Sequence, residues 1–381
     1  MNSKSRKILF VVVEDRYFIS HRLHLAKHAL ELGYEVGLIC KNSRYKEFLI
    51  NEGIKVFDWS LERGSFNLFF EFKAFFEVVK TLLRFSPDLI HAVALKPVIY
   101  SSFASKLVFS KSKVFALGGL GFIFSSQKFL ARILRPFIVL LLKFSFSGKR
   151  SRLIIQNIDD LKILTDLGVI KEEKVDLIKG AGVDINQFSF TEDISSLPEV
   201  ILPARLLWDK GIGEFVEAAR ILKVKGVKAK FSILGETDPH NPECISEEQI
   251  NNWKKEGIVD ILGFKEDMVK HFQGCSIVCL PSYREGLPKA LLEGASCGRP
   301  IVTTDAPGCR EIVQDGINGY LVPLKDSVLL AQSLSKLIMN KDLRRSMGIK
   351  GRKMVEKDFS AEIVSLQTGE VWNKLINYTN P

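Results

Sequence analysis

The sequence is poor in the residues that build metal and redox centres. Its six cysteines (Cys40, Cys244, Cys275, Cys279, Cys297 and Cys309) include no CxxC pair. That leaves nothing for a zinc ribbon or a dithiol redox site, and reduced, buried thiols of a cytosolic protein are expected instead. No Asp-x-Asp occurs, so the carboxylate pair that commonly holds Mg²⁺ or Mn²⁺ against a diphosphate is missing. The apolar run Ile8 to Val13 is cut off after six residues by Glu14 and Asp15, which argues against a signal peptide. The run Pro136 to Leu142 is seven residues long, too short to span a bilayer. There is no short-period repeat and no low-complexity tract.

Acidic residues are missing from one long stretch. Between Leu89 and Ile158 there is none, against 11 basic residues. The first 150 residues carry a net charge of +13 and the remainder −3, which together give the chain its +10. A basic first half suits nucleic acids, anionic membranes or phosphorylated substrates. No nucleic-acid motif of the usual kinds is present, so nucleic acid is not an expected partner. With 381 residues, 46% of them hydrophobic, the chain has material for two ordinary domains.

What is there is an alternation of apolar runs and helical periods. Lys7 to Val13 reads as a buried strand, and Tyr17 to Leu32 as a helix ended by Gly33. Strands follow at Glu35 to Cys40, Ile54 to Phe57 and Leu89 to Val93, with a Phe-rich helix from Phe66 to Phe85. Further strands are expected near Val114, Leu153 and Val175 to Ile178. A second alternation begins with Val200 to Ala204 and runs through Lys230 to Leu234, Asp260 to Gly263, Ser276 to Leu280 and Tyr320 to Val322. Helices are expected at Gly213 to Lys223, Glu247 to Lys255, Glu266 to Phe272, Asp326 to Lys357 and Ser360 to Tyr378. Strands that alternate with helices predict α/β architecture, two doubly wound domains each with a parallel sheet covered on both sides. The expected division is an N-terminal domain over 1–180, a second over 181–358, and a final helix over 359–381 that returns to the first.

Two stretches carry chemistry. Pro281-Ser282-Tyr283-Arg284-Glu285-Gly286-Leu287-Pro288 joins a buried strand to a helix. Pro288 suits a helix start, Gly286 permits close backbone approach, and the amides with the helix dipole behind them favour an anion. Glu285 in the turn and Glu293 on the helix are placed to accept hydrogen bonds from neutral hydroxyls. Ala204-Arg205-Leu206-Leu207-Trp208-Asp209-Lys210-Gly211 lies where another strand gives way to a helix. There Arg205 as a fork and Lys210 as a point charge are placed to neutralise a diphosphate, or else they are two surface cations in a loop. His91 is expected to end a strand, either as a catalytic or orienting group or as a satisfied strand-end histidine. His21, His24 and His28 share a helical spacing, which reads as an ordinary helix face, with no metal.

Glu285-x7-Glu293 within PSYREGLPKALLEG, followed by GRPIVTTDAPGCREIV, resembles the E-x7-E signature of retaining family 4 glycosyltransferases with the GT-B fold. Arg205 and Lys210 match that family's R-x4-K-G element. The resemblance implies two Rossmann-like domains facing across a cleft, and transfer of a hexose or N-acetylhexosamine from a UDP-sugar with retention. It implies that Arg205 and Lys210 hold the donor diphosphate and that Glu285 contacts donor hydroxyls. Gly286 and Leu287 would contact the phosphate or sugar and Glu293 the ribose. Gly235 resembles the glycine ending a donor-domain strand, Leu262-Gly263-Phe264 the loop that reads the base, and Gly180-Ala181-Gly182-Val183-Asp184 an interdomain segment. The first half narrows the branch. Ser20-His21-Arg22-Leu23, Ile90-His91 with Leu95-Lys96-Pro97, and Gly118-Gly119-Leu120-Gly121-Phe122 resemble enzymes that build bacterial surface glycans on polyprenyl-diphosphate carriers. His21, Lys96, Gly119 and Gly121 are therefore acceptor-side candidates. Many members carry a glycine-rich loop after the first strand, where this chain has Glu14-Asp15-Arg16-Tyr17.

The implied partners are a nucleotide-sugar donor, a polyprenyl-diphosphate-linked glycan and an anionic membrane surface, with no cofactor and no metal. Two other readings keep the fold and change the role, a UDP-sugar 2-epimerase and a non-catalytic subunit binding lipid-linked glycan. Lys128 to Arg150 bears on location. Lys128, Arg132, Arg135 and Lys143 fall in a helical sector of about 80°, and Leu130, Ile133, Leu134, Phe137, Leu140 and Leu141 crowd the other side. That suits an interfacial helix, or a core helix packed on the sheet, with Pro136 placed to kink or divide it. The acid-free stretch and the Phe-rich helix favour the membrane, so a cytoplasmic protein on the inner face of the cell membrane is expected.

Overall fold

The first strand shows why the sheets are covered on both sides. Ile8, Phe10 and Val12 join one buried cluster, and Leu9 and Val11 another, since successive side chains of a strand point to opposite faces. The computed structural model describes residues 5–42, 44–62, 67–108, 112–120, 124, 129–193, 195–239 and 241–377. The chain forms two compact units, Met1–Ala181 with Glu362–Pro381, and Gly182–Ala361.

The first unit contains β1 (Lys7–Glu14), α1 (Asp15–His21), α2 (Leu23–Glu31), β2 (Glu35–Lys41), α3 (Lys46–Asn51), β3 (Lys55–Asp58) and α4 (Leu68–Phe85). It continues with β4 (Leu89–Val93), α5 (Leu95–Leu107), β5 (Ser112–Leu117), α6 (Phe129–Phe146), β6 (Ser151–Ile155), α7 (Ile158–Asp166) and β7 (Val175–Leu177). Its strands pair in parallel in the order β3-β2-β1-β4-β5-β6-β7. The second unit contains β8 (Glu199–Pro203), α8 (Ile212–Val224), β9 (Lys230–Leu234), α9 (Glu247–Glu256), β10 (Asp260–Gly263), α10 (Met268–Gly274) and β11 (Ile277–Leu280). Then come α11 (Lys289–Ser296), β12 (Ile301–Thr304), β13 (Gly319–Val322), α12 (Ser327–Ile338) and α13 (Lys341–Asp358). Its parallel order is β10-β9-β8-β11-β12-β13 around one buried apolar cluster. The last helix, α14 (Ala361–Ile376), belongs to the first unit. Its Trp372 is fully buried in the same cluster as Phe10 and Val36, and truncating a side chain of that size to Ala would cost about 3–5 kcal/mol.

Three elements differ from the sequence expectation. The helix expected over Tyr17 to Leu32 is broken at Arg22, whose φ of −137° is not helical and whose side chain is buried. The helix expected over Asp326 to Lys357 is two, because Asn340 caps a new start by accepting from Leu343 N at 2.9 Å. The stretch around Pro136 is one continuous helix, α6, in which the proline lies on the exposed side. All six cysteines are free. Burial pushes the Cys297 and Cys309 thiols up to about 12, and Cys40, Cys275 and Cys279 are raised further for the same reason.

Candidate active site

In the second unit the chain steps outward from β8 to β9 and β10, then resumes on the other side of β8 with β11. The order reverses between β8 and β11, and the crevice beyond such strand ends is where open α/β sheets bind ligands. The turns after β8 and β11 fill that place and are stitched together. Tyr283 N donates to Asp209 O at 2.9 Å, and Ser282 Oγ donates to the same carbonyl at 3.1 Å. Thr304 Oγ1, at the end of β12, donates to Ser282 O, and Glu285 N donates to Pro307 O at 3.0 Å. Gly211, with φ +70°, lies so close to the second turn that a Cβ would stand 2.0 Å from Pro281 O.

Across this seam Lys210 Nζ donates to Glu285 Oε1 at 2.6 Å, and the two side chains are only 13% and 16% exposed. Burial works against the charge of Lys210, but Glu285 and Asp209 together outweigh it and hold its pKa above the ordinary lysine value. Burial pushes the Asp209 carboxyl up, with Lys210 pulling it the other way, and Asp209 Oδ1 is buried without a hydrogen-bond partner. Arg205 is more exposed and pairs with Asp238. Two cations, each held by a carboxylate, thus occupy the switch point. A diphosphate offers both of them stronger, charge-assisted bonds and would free Glu285 to accept from hydroxyls.

The other expected donor residues gather along the same sheet edge. Gly235 follows β9, and its N–H donates to the carbonyl of Gly263, the last residue of β10, at 3.0 Å. Leu262 is half-buried and Phe264 is exposed. Gly235 is also required by packing, since a Cβ there would stand 1.8 Å from Ala204 O. Gly286 and Leu287 are buried in the turn, and Pro288 is the cap residue before α11. On α11, Glu293 Oε1 accepts from Lys289 Nζ at 2.5 Å. Sequence reasoning passed over Asp209, Lys289 and Tyr283, whose hydroxyl donates to Glu214 Oε1 at 2.7 Å. For Asp209 the signal was its place next to Lys210. For Lys289 it was the i, i+4 spacing from Glu293 on one helix, and for Tyr283 no local pattern names the partner.

In the first unit the expected residues scatter. His91 does not end a strand, and that expectation is corrected: it is the middle residue of β4, 1% exposed. Its ring stacks on Phe10 with centroids 5.2 Å apart, and its Nδ1 accepts from Trp372 Nε1 at 3.1 Å. Burial, with Arg22 adding to it, lowers its pKa to about 3, so it is neutral with its proton on Nε2. So placed, His91 ties β4 to α14 and leaves the set of residues proposed to act on substrate. Lys96, in the first turn of α5, donates to Glu71 Oε1 at 2.8 Å and to Glu62 O at 3.0 Å. Gly119 follows β5 in the left-handed region, with φ +131°. Gly121 lies outside the described residues. His21 stacks on Tyr17 at 4.3 Å and shares a 2.6 Å hydrogen bond with Ser20 Oγ. The break at Arg22 puts His21 on a different helix from His24 and His28. Among the described residues, no three His, Cys, Asp or Glu side chains cluster as metal ligands.

Comparison with known proteins gives this geometry its setting. Residues 185–354 match the family described as "Glycosyl transferases group 1", and residues 7–157 the one described as "Glycosyl transferase 4-like". The chain is similar to N,N'-diacetylbacillosaminyl-diphospho-undecaprenol alpha-1,3-N-acetylgalactosaminyltransferase of Campylobacter jejuni, 32% identical over 87% of this chain and 91% of that one. It is similar at 24% identity, over 77% of each chain, to the UDP-Gal:alpha-D-GlcNAc-diphosphoundecaprenol alpha-1,3-galactosyltransferase of Escherichia coli. In fold it resembles Anabaena HepE, solved with UDP and glucose, with a TM-score of 0.78 at 19% identity over 97% of this chain and 100% of that one. Every strand but β7 falls within a family match, and the Campylobacter relative is alike over nearly all of its length, so the chain belongs to the family 4 glycosyltransferases of the GT-B fold, and it is a glycosyltransferase.

Proposed function

We propose that this enzyme moves a hexose or N-acetylhexosamine from a UDP-sugar to a saccharide carried on polyprenyl diphosphate, in the synthesis of a bacterial surface glycan, with retention at the anomeric carbon. The observation that carries it is the Lys210–Glu285 pair at the switch point, read with two relatives whose names specify diphosphoundecaprenol-linked acceptors. The bond from the sugar's anomeric carbon to the β-phosphate oxygen breaks, and one to the acceptor hydroxyl oxygen forms. The hydroxyl proton leaves with the departing phosphate. Lys210 and Arg205 stabilise the charge that develops on that phosphate, together with the positive end of the α11 dipole. Glu285 and Glu293 orient the sugar and ribose hydroxyls. The test is a set of UDP-sugars incubated with a short polyprenyl-diphosphate-linked sugar and read by mass spectrometry, with the anomeric proton coupling read by NMR. UDP release without a glycosylated lipid product would exclude this acceptor class.

Cationic side chains do the neutralising here, so the reaction needs no metal in our reading. Activity is expected to survive excess EDTA, within about twofold, because a Lys–Arg pair supplies the electrostatic stabilisation a divalent ion otherwise gives. Loss on chelation with recovery on Mg²⁺ or Mn²⁺ would contradict it.

The same reading places the first unit on an anionic membrane surface, at the cytoplasmic side where the nucleotide sugar is. Among the described residues no helix is long and apolar enough to cross a membrane. On α6, Leu142 and Phe146 are buried, while Ile133, Phe137, Leu140 and Phe144 stand 55%, 59%, 63% and 43% exposed, bordered by exposed Arg132 and Lys143. The wide apolar side expected from the sequence is thus divided between the core and an outward stripe. On α4, Leu68, Phe69, Phe72 and Phe76 are likewise exposed. An apolar stripe edged by cations suits the headgroup boundary. Phe137→Asp is expected to weaken co-sedimentation with anionic vesicles about tenfold or more, with an unchanged melting temperature. Wild-type protein that ignores anionic and neutral vesicles alike at low salt would refute the docking.

A further inference from the structure

At the end of α6 nearest the start of β6 lies a cavity of about 540 Å³ whose polar lining includes Lys143, Ser147, Thr165, Lys171, Glu172 and Lys174. It sits at the amino ends of β6 and β7, the edge of the sheet opposite to the one expected to serve substrates. Among the described residues none of the three lysines has an ion-pair partner, and Lys174 Nζ has a single bond, to Gly148 O at 3.2 Å. Two more lysines stand behind them. Lys106 Nζ donates to Phe144 O at 2.9 Å and to Ser147 Oγ at 3.3 Å. Lys113 is 8% exposed, has no hydrogen bond or ion pair from its side chain, and its Nζ lies 3.7 Å from where a Cβ on Gly148 would be. Burial holds the pKa of Lys113 below the lysine range, and Lys106 lowers it further.

Five ammonium groups around one helix end, with one exposed carboxylate among them, are more positive charge than the terminal carbonyls of a helix offset. A buried cation without a partner is costly to keep, and an oxyanion seated in the cavity lowers that cost. Lysines bind phosphate as point charges. Lys143 lines this cavity and also borders the apolar stripe, and its neighbour Phe144 is the stripe's last residue. We propose that the cavity binds the phosphate of an anionic phospholipid headgroup, with the acyl chains lying along the α6 stripe. The inference rests on the membrane docking proposed above and gives that docking a specific lipid site.

The test uses the full chain and vesicles of phosphatidylcholine with and without phosphatidylglycerol. The pair Lys171→Gln with Lys174→Gln is compared with Lys225→Gln and Lys228→Gln, exposed lysines of the second unit. The cavity pair should lose about 30-fold in affinity for the phosphatidylglycerol vesicles and the control pair less than twofold, with melting temperatures unchanged in both. Cavity variants that bind like wild type would overturn the site while leaving the docking intact. A wild type that ignores vesicles but is stabilised by millimolar glycerol 3-phosphate, in a way the cavity variants are not, would overturn the lipid source in favour of a soluble phosphate. No response to either probe would overturn the proposal together with the docking it rests on.

Discussion

Lys210→Met is expected to lower kcat/KM by about 10²–10³-fold, the usual effect of removing one donor aimed at charge that develops in a transition state. Glu285→Gln should lose a comparable amount, because Glu285 both fixes the Lys210 ammonium at 2.6 Å and is placed to accept from the donor sugar. Neither change is silent for stability. The pair is largely buried, so each single variant leaves a charged or polar group without its partner and costs about 1–3 kcal/mol. The double variant Lys210→Met with Glu285→Gln separates the two effects. Its stability loss should be smaller than the sum of the singles, since neither charge of the pair is left without the other, while its activity stays at the level of the worse single. Chemical denaturation and steady-state kinetics on the four proteins read this directly. Folded single variants within about threefold of wild-type kcat/KM would show that the switch-point pair is structural and that the diphosphate is held elsewhere.

How much of this was legible in the sequence differs by level. β9 and β10 were readable to the residue, Lys230–Leu234 and Asp260–Gly263, because each is a short apolar run bounded by polar or glycine punctuation. The break at Arg22 was not. Ser20-His21-Arg22-Leu23 contains no glycine or proline, and the break goes with a side chain turned into the first unit's interior, which is a tertiary preference. Lys210 and Glu285 were each readable as site residues from their own turns. Their pairing was not, since 75 residues separate them and sequence spacing carries no information about proximity across two strand ends. Tyr283 escaped for the same reason, being defined by its contacts to Asp209 O across the seam and to Glu214 on α8, whereas Asp209 stood beside Lys210 in the sequence. His91 shows the converse. The strand expected over Leu89 to Val93 is β4 to the residue and has His91 at its middle, so a place at the strand end did not follow from it, and the residue that engages His91, Trp372, lies 281 positions away.

Gly211→Ala is expected to destabilise the second unit by about 3 kcal/mol or more, through strain and overpacking together. Gly211 has φ +70°, and its missing Cβ would stand 2.0 Å from Pro281 O and 2.7 Å from Pro281 C. Backbone atoms of a stitched turn cannot step aside as a flexible side chain does, so the two turns must part. Gly226→Ala is the matched control. It has φ +71° and nothing within 4 Å of the added Cβ, so it carries only the cost of a left-handed alanine, about 1 kcal/mol. For a unit of this size the difference corresponds to a melting temperature roughly 4–8 °C lower for Gly211→Ala than for Gly226→Ala. Kinetics should separate them further. Parting the turns moves Lys210 away from Glu285 without altering either side chain, and a displacement near 1 Å costs about 10–100-fold in rate. Gly226→Ala, at the far end of α8, should keep wild-type kcat/KM. Equal melting and equal turnover for the two variants would mean that the turns tolerate separation, and that the approach enforced at Gly211 does not set the geometry of the Lys210–Glu285 pair.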